Sequence, residues 1–195
     1  MGTFLVEGGH RLRGRIRPAG NKNAALPCLA ASVLASEPVI LENIPRITDV
    51  ETFLQIVDSL GANVSWSGDN EVTIDASGIR TDPVDTELAK RIRASVLLAG
   101  PLLARFGYVE LPPPGGDVIG RRRMDTHFLA FEALGATLSL NGGFAISADR
   151  LTGANFFLDE PSVTGTENAI MAAVRAEGVS TIRNSAAEPH VQDLC

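Results

Sequence analysis

Residues 112–127 read "PPPGGDVIGRRRMDTH". One acid, Asp117, stands between a proline–glycine loop and three arginines, a setting that a solvated loop acid does not need. Gly115 and Gly116 permit positive φ and close backbone approach, and Pro112 to Pro114 stiffen the chain before them, as in a hinged lid. Arg121, Arg122 and Arg123 then lead into a helix expected to begin near Asp125. Guanidinium forks there suit diphosphate or carboxylate. An acid that exchanges a proton beside such an anion needs a raised pKa. Desolvation under a closed lid favours this, and the adjacent arginines oppose it.

Three further stretches carry the same chemistry. In "AGNKNAALPCLAAS", Gly20 gives a turn, Asn21 or Asn23 can cap a helix, and Lys22 sits at its start, where an anion could rest between the ammonium and backbone N–H groups. In "AKRIRASVLLAGPLL", Arg91 and Arg93 precede a run too apolar to be exposed. Read as helix, that spacing turns them in different directions, so only one is expected to face a pocket. In "DEPSVTGTENAIMAAV", Thr164 and Glu167 fit a capping box, a structural device, and Ser162 with the backbone before the helix could line a pocket. Together these features point to one or two anionic ligands held among helix starts by Lys and Arg, with Asp117 as proton carrier.

The elements that must position them come from repetition. "LAASVLASEPVILENIP", "LLAGPLLARFGYVELPP" and "IMAAVRAEGVSTIRNSA" each give a small-residue helix, a break and a β-rich run. Their breaks at Pro38, Gly107 and Gly178 recur with a period of roughly 70 residues. "FLQIVDSLGANVSW" and "FLAFEALGATLSL" follow the first two, each an amphipathic helix stopped at Leu-Gly-Ala (Gly61, Gly135) before an alternating strand. The strands "EVTIDA" and "FAISAD" complete the pattern. The spacing predicts an α/β architecture of β-α-β-α-β-β units, written twice and begun a third time. The third copy ends in "AAEPHVQDLC", one turn of an amphipathic helix, so the chain reads as the N-terminal portion of something longer.

The 195 residues are 45% hydrophobic and 21% charged, with a net charge of −6, which disfavours nucleic acid and anionic membranes as partners despite the local arginine clusters. Two cysteines make no disulfide framework, and Cys28 reads as a core thiol. The start lacks the plan of a secretory signal, and "ASVLLAGPLLA" is too short and broken to cross a bilayer, leaving the cytoplasm as the expected compartment. There is no cluster with metal-ligand spacing.

Taken together, "AGNKNAALP", "RIRASVLLAGPLLARFG", "PPGGDVIGRRRMDTH", "EALGA" and "PSVTGTENAIMAA…EGVSTIRNSAAEPHVQDL" resemble the UDP-N-acetylglucosamine 1-carboxyvinyltransferase family, the enolpyruvyl transferases that open peptidoglycan precursor synthesis. The resemblance covers essentially the whole chain. It implies two domains, each an inside-out α/β barrel of three β-α-β-α-β-β units, with the third unit incomplete here. Residues 1–20 would be an N-terminal strand packing with a missing C-terminal domain, and residues 21–195 a truncated first domain. The partners implied are phosphoenolpyruvate and UDP-N-acetylglucosamine, with no cofactor or metal. Lys22 and Asn23 inherit the contact to phosphoenolpyruvate, and Lys22 also a catalytic role. Arg93 inherits contact with the nucleotide sugar. Arg122, Arg123, Met124, Asp125 and Thr126 would cradle the uridine diphosphate, with Ser162 and Val163 lining the same site. Asp117 would protonate the methylene carbon.

The chain departs from the family pattern in three places. Asp117 replaces the usual lid cysteine, which implies insensitivity to fosfomycin because a thiolate is the far better nucleophile toward its epoxide. Arg123 stands in place of proline, and Thr164-Gly165 replaces Gly-Ala. The rival readings are a non-catalytic fragment or paralogue that binds a UDP-sugar, and the related enolpyruvyl transferase of aromatic amino-acid synthesis. With one wall of an interdomain cleft, the isolated chain is expected to turn over little or nothing.

Overall fold

A computed structural model describes residues 2–116, 123–140 and 142–195, so Asp117, Arg121 and Arg122 lie outside the described residues. Two of its sheets are copies of one plan. β1 (Val39–Leu41), β2 (Asn63–Trp66) and β3 (Val72–Asp75) pair antiparallel in the order β1–β3–β2, and β4 (Tyr108–Leu111), β5 (Thr137–Ser139) and β6 (Phe144–Ser147) repeat it as β4–β6–β5. Ile74 pairs with Val39 and Val64, and Ile146 pairs with Val109 and Leu138, so the two buried isoleucines hold equivalent places. Helix α2 (Thr48–Ser59) links β1 to β2 as α5 (Asp125–Ala133) links β4 to β5. Each of these helices stops at a glycine in left-handed backbone, Gly61 at φ 105° and Gly135 at φ 94°, which a side chain would resist.

The third unit runs β7 (Asn155–Phe157), α6 (Val163–Ala173), β8 (Thr181–Arg183) and α7 (Pro189–Leu194). Its two strands pair in parallel, which requires the crossover that α6 supplies. The opening strand expected of every unit is therefore seen here. In the first two units, among the described residues, no strand precedes the first helix. Residues 2–19 alternate as "RLRGRIR" does in a strand, yet they lie exposed and unpaired, with Phe4 95% and Ile16 94% accessible. Pattern alone cannot make a strand that has no ladder to join.

Helices fill the centre and the sheets lie outside them. The buried helices are α1 (Lys22–Ala31), α6, and α4 (Ala99–Phe106) with its 3-10 lead Arg93–Leu98. Their small residues allow close packing: Gly100 of α4 meets the backbone of Asn168 in α6. Asn168, fully buried, accepts from the Gly100 N–H at 2.7 Å and donates to the Val96 carbonyl at 3.0 Å. The half-buried Arg105 guanidinium donates to the carbonyls of Val33 (2.7 Å) and Ala76 (2.9 Å), tying the second unit to the first. The sheets remain separate, and their outer faces leave Ile40 and Phe157 exposed. This is the inside-out α/β arrangement expected, with repeats rather than one closed sheet surrounding the helices.

Candidate active site

Lys22, Arg93 and Val163 are each the first residue of their helix, in α1, in the 3-10 lead to α4, and in α6. All three line one open cleft of about 630 Å³. Helix starts present unpaired N–H groups and partial positive charge, so their convergence with Lys22, Arg91, Arg93 and Arg123 suits an anion. Asn21 caps α1 by accepting from the Asn23 N–H at 2.8 Å. Pro27, buried within α1, cannot donate to the carbonyl of Asn23 one turn earlier, and both residues line the cleft.

The capping box expected at Thr164 and Glu167 does not form. Helix α6 begins earlier, so Ser162 is the cap and its Oγ accepts from the Gly165 N–H at 3.1 Å. Thr164 instead pairs with His127 Nε2 at 3.1 Å, and Glu167 lies buried on the cleft. The expectation that only one of Arg91 and Arg93 faces a pocket also fails. Ile92 is extended (φ −135°, ψ 141°), and residues two apart on extended backbone point to the same side, so both arginines line the cleft. The two glycines of the expected lid lie against this stretch. Gly115 and Gly116 donate their N–H groups to the carbonyls of Ala89 and Lys90, both at 3.3 Å, and a Cβ on Gly116 would sit 3.0 Å from the Arg93 nitrogen.

The sequence-selected residues separate into two sets. Lys22, Asn23, Arg93, Arg123, Ser162 and Val163 are brought together on the cleft, whereas Met124, Asp125 and Thr126 are not among its lining residues. They stand beside it and order Arg123. Asp125 binds the Arg123 guanidinium at 2.7 Å, and Asp159, which accepts from the Thr126 hydroxyl at 2.6 Å, approaches the same guanidinium at 3.3 Å. Arg93 Nη2 donates to the Arg123 carbonyl at 3.3 Å and lies 3.8 Å from Met124 Sδ. The Thr164-Gly165 departure has a reason here: Thr164 supplies the hydroxyl for His127, and a Cβ at Gly165 would come 3.0 Å from Thr126 Cγ2.

Four acids were not read from the sequence as cleft residues. Asp49, in the first turn of α2, pairs with Lys22 Nζ at 2.8 Å, and nothing in "ITDVETF" announces it. Asp159 and Glu160 precede the α6 cap, hidden as ordinary loop acids. Glu167 had a signal, an acid inside "GTENAIMAA", a helix too apolar to be exposed. It is 2% accessible, its Oε1 has no hydrogen-bond partner, and burial, then the nearby Glu188, push its pKa from 4.5 up to about 8. Burial, then Arg93, lower the His127 pKa to about 4, so this imidazole is neutral at physiological pH.

The Glu167 shift has a sign that can be tested. An acid whose folded pKa is raised stabilises the fold while it is protonated in both states, and that stability is lost as pH rises through the folded value. Stability is therefore expected to fall between about pH 4.5 and pH 8, by up to a few kcal/mol. Glu167→Gln should flatten that slope and be the more stable protein at pH 8. Urea denaturation across this range measures it, and equal slopes in the two proteins would contradict it.

Among the described residues, no group of three or more His, Cys, Asp or Glu is placed to hold a metal ion, and no helix is long and apolar enough to cross a membrane.

Known proteins bear on this geometry. A family model described as EPSP synthase (3-phosphoshikimate 1-carboxyvinyltransferase) matches residues 6–195. The chain is 59% identical over 191 residues to a UDP-N-acetylglucosamine 1-carboxyvinyltransferase of Bradyrhizobium diazoefficiens, covering 98% of this chain and 44% of that one. It is 56% identical over 195 residues to the protein of that name from Treponema pallidum, covering 100% of this chain and 46% of the relative. The chain thus spans about half the length of the curated relatives it matches. Among solved structures, the enolpyruvyl transferase NikO from Streptomyces tendae superposes with a TM-score of 0.81 at 26% identity, over 96% of this chain and 44% of that one. An EPSP synthase from Acinetobacter baumannii gives 0.73 at 18% identity, over 92% and 42%, a likeness of fold alone. The chain belongs to the EPSP synthase family of 1-carboxyvinyl transferases, and within that family it resembles UDP-N-acetylglucosamine 1-carboxyvinyltransferase.

Proposed function

We propose that this chain serves a UDP-N-acetylglucosamine 1-carboxyvinyltransferase. It would move the enolpyruvyl group of phosphoenolpyruvate to the sugar 3-hydroxyl and release phosphate, the first committed step of peptidoglycan precursor synthesis. The match over essentially the whole chain to relatives of that name carries the reading. The cleft supports it, since three helix starts, Lys22 and Arg93 stand together where two anionic substrates would need cations. Residues 21–195 would be the first domain, and the exposed segment 1–20 would become a strand by packing with a C-terminal domain. Such a protein works in the cytoplasm and supports cell shape and division.

In this reading Lys22 and Asn23 hold phosphoenolpyruvate. Arg93, Arg122, Met124 to Thr126, Ser162 and Val163 hold the nucleotide sugar, and Arg123 belongs to the same site. The 3-hydroxyl oxygen attacks C2 and passes its proton to an aspartate that the C-terminal domain would supply, while Asp117 delivers its proton to C3, producing a tetrahedral phosphate ketal. The Asp117 carboxylate then takes back a C3 proton as the C2–O bond to phosphate breaks, restoring the double bond as the enolpyruvyl ether. Lys22 and the arginines offset substrate charge throughout, and a closed lid excludes water.

Phosphate release by the complete protein tests the reading, with UDP-N-acetylglucosamine and shikimate 3-phosphate offered as alternative acceptors. Turnover on the first alone is expected. Turnover on the second alone would assign the protein to aromatic amino-acid synthesis, and binding of the UDP-sugar without turnover would make it a binding module. Fosfomycin supplies a separate prediction: preincubation is expected to cause no time-dependent loss of activity, because a carboxylate opens the epoxide poorly. A covalent adduct on Asp117, detected by mass spectrometry, would contradict it.

A further inference from the structure

Arg123 is held at both ends. Its carbonyl accepts from Arg93 Nη2 at 3.3 Å, and its guanidinium sits between Asp125 at 2.7 Å and Asp159 at 3.3 Å. These two acids come from different units, Asp125 at the first turn of α5 and Asp159 in the loop between β7 and α6. Glu160 lines the same cleft, so among the described residues three carboxylates gather beside the Arg123 guanidinium at a site otherwise suited to anions. Thr126, 1% accessible, ties its hydroxyl to Asp159, so the guanidinium and this hydroxyl hold the same carboxylate. The Arg123 and Asp125 side chains are 53% and 58% accessible, and pairs this exposed contribute little to folding. What such a pair can govern is the field in the cleft and the spacing of its two walls.

We propose that Arg123 is a positioning residue. It draws the start of α5 and the loop before α6 together and offsets part of the charge of the acids there, so that the diphosphate of the nucleotide sugar can enter. The proposal rests on the function proposed above. It differs from direct contact, in which the guanidinium would leave its acids and grip the diphosphate itself.

Steady-state kinetics of the complete protein separate these cases. Arg123→Gln is expected to raise KM for UDP-N-acetylglucosamine about 10-fold, with kcat and KM for phosphoenolpyruvate changed less than about 2-fold. Added salt should shrink the defect by screening the exposed acids, and Arg123→Lys should recover part of it. The deciding variant is Arg123→Gln combined with Asp159→Asn, which removes an acid while keeping an oxygen for Thr126. Recovery of KM in the double variant supports the proposal. An unchanged KM in Arg123→Gln overturns it, and so does a double variant no better than the single one, the result direct contact requires. A wild-type protein that neither binds nor turns over UDP-N-acetylglucosamine overturns the functional reading, and this proposal with it.

Discussion

Asp117→Asn is expected to cut turnover by the complete protein by about two to four orders of magnitude, the usual range for loss of a general acid. Asparagine matches aspartate in size and still accepts a hydrogen bond, but it cannot deliver a proton to C3 of phosphoenolpyruvate. Binding of UDP-N-acetylglucosamine should stay near wild type, because the arginines and helix starts that would hold it are untouched. Gly116, next to Asp117 in the chain, packs against Arg93 at the cleft. Phosphate release gives kcat, and calorimetry gives the binding constant. Asp117→Cys supplies the complement: it should keep turnover and gain time-dependent inactivation by fosfomycin, since the thiol can deliver the proton and its thiolate opens the epoxide better. Undiminished transfer by Asp117→Asn would remove the proton carrier from the mechanism.

The repeat was legible because it is written in local physics. A left-handed glycine after an amphipathic helix marks Gly61 and Gly135 without reference to anything distant, and alternation marks β3 and β6. Lys22, Arg93 and Ser162 were found for a similar reason, since each sits at the start of a helix whose apolar run is plain in sequence. What the sequence hid depends on contacts between units. Asp49 becomes part of the site only because α2 brings it to Lys22 across 27 residues, and Asp159 only because β7 carries it to Thr126. Arg91 was misjudged by one dihedral pair, since the extended Ile92 turns it onto the cleft. Glu167 was assigned to a cap when a helix that starts two residues earlier buries it instead. Each error followed from treating a segment as if its neighbours in space were its neighbours in chain.

Gly100→Ala is expected to destabilise the fold by about 1–3 kcal/mol, although the same change on an exposed helix face would gain up to about 1 kcal/mol in propensity. The sign reverses because a Cβ at Gly100 would lie 2.6 Å from the Asn168 carbonyl oxygen and 2.9 Å from its Oδ1. The nearer atom is backbone, so no rotamer change relieves the clash, and α4 must move off α6. That movement would also break a cap. Leu98, at the start of α4, offers no side-chain acceptor, and the orphan N–H of Gly100 is satisfied by Asn168 from the neighbouring helix. Asn168→Ala should therefore cost a comparable about 2–3 kcal/mol by stranding the Gly100 N–H and the Val96 carbonyl in the core. Gly100→Val, with a smaller propensity gain and more bulk, should exceed both. Because α4 and α6 carry Arg93 and Ser162 into the cleft at their leading ends, these variants should also weaken UDP-N-acetylglucosamine binding. Arg123→Gln, at the exposed rim, should leave the unfolding midpoint unmoved. Urea unfolding and calorimetry on the same samples measure the two effects, and a Gly100→Ala protein as stable as wild type would show that the two helices do not meet at this point.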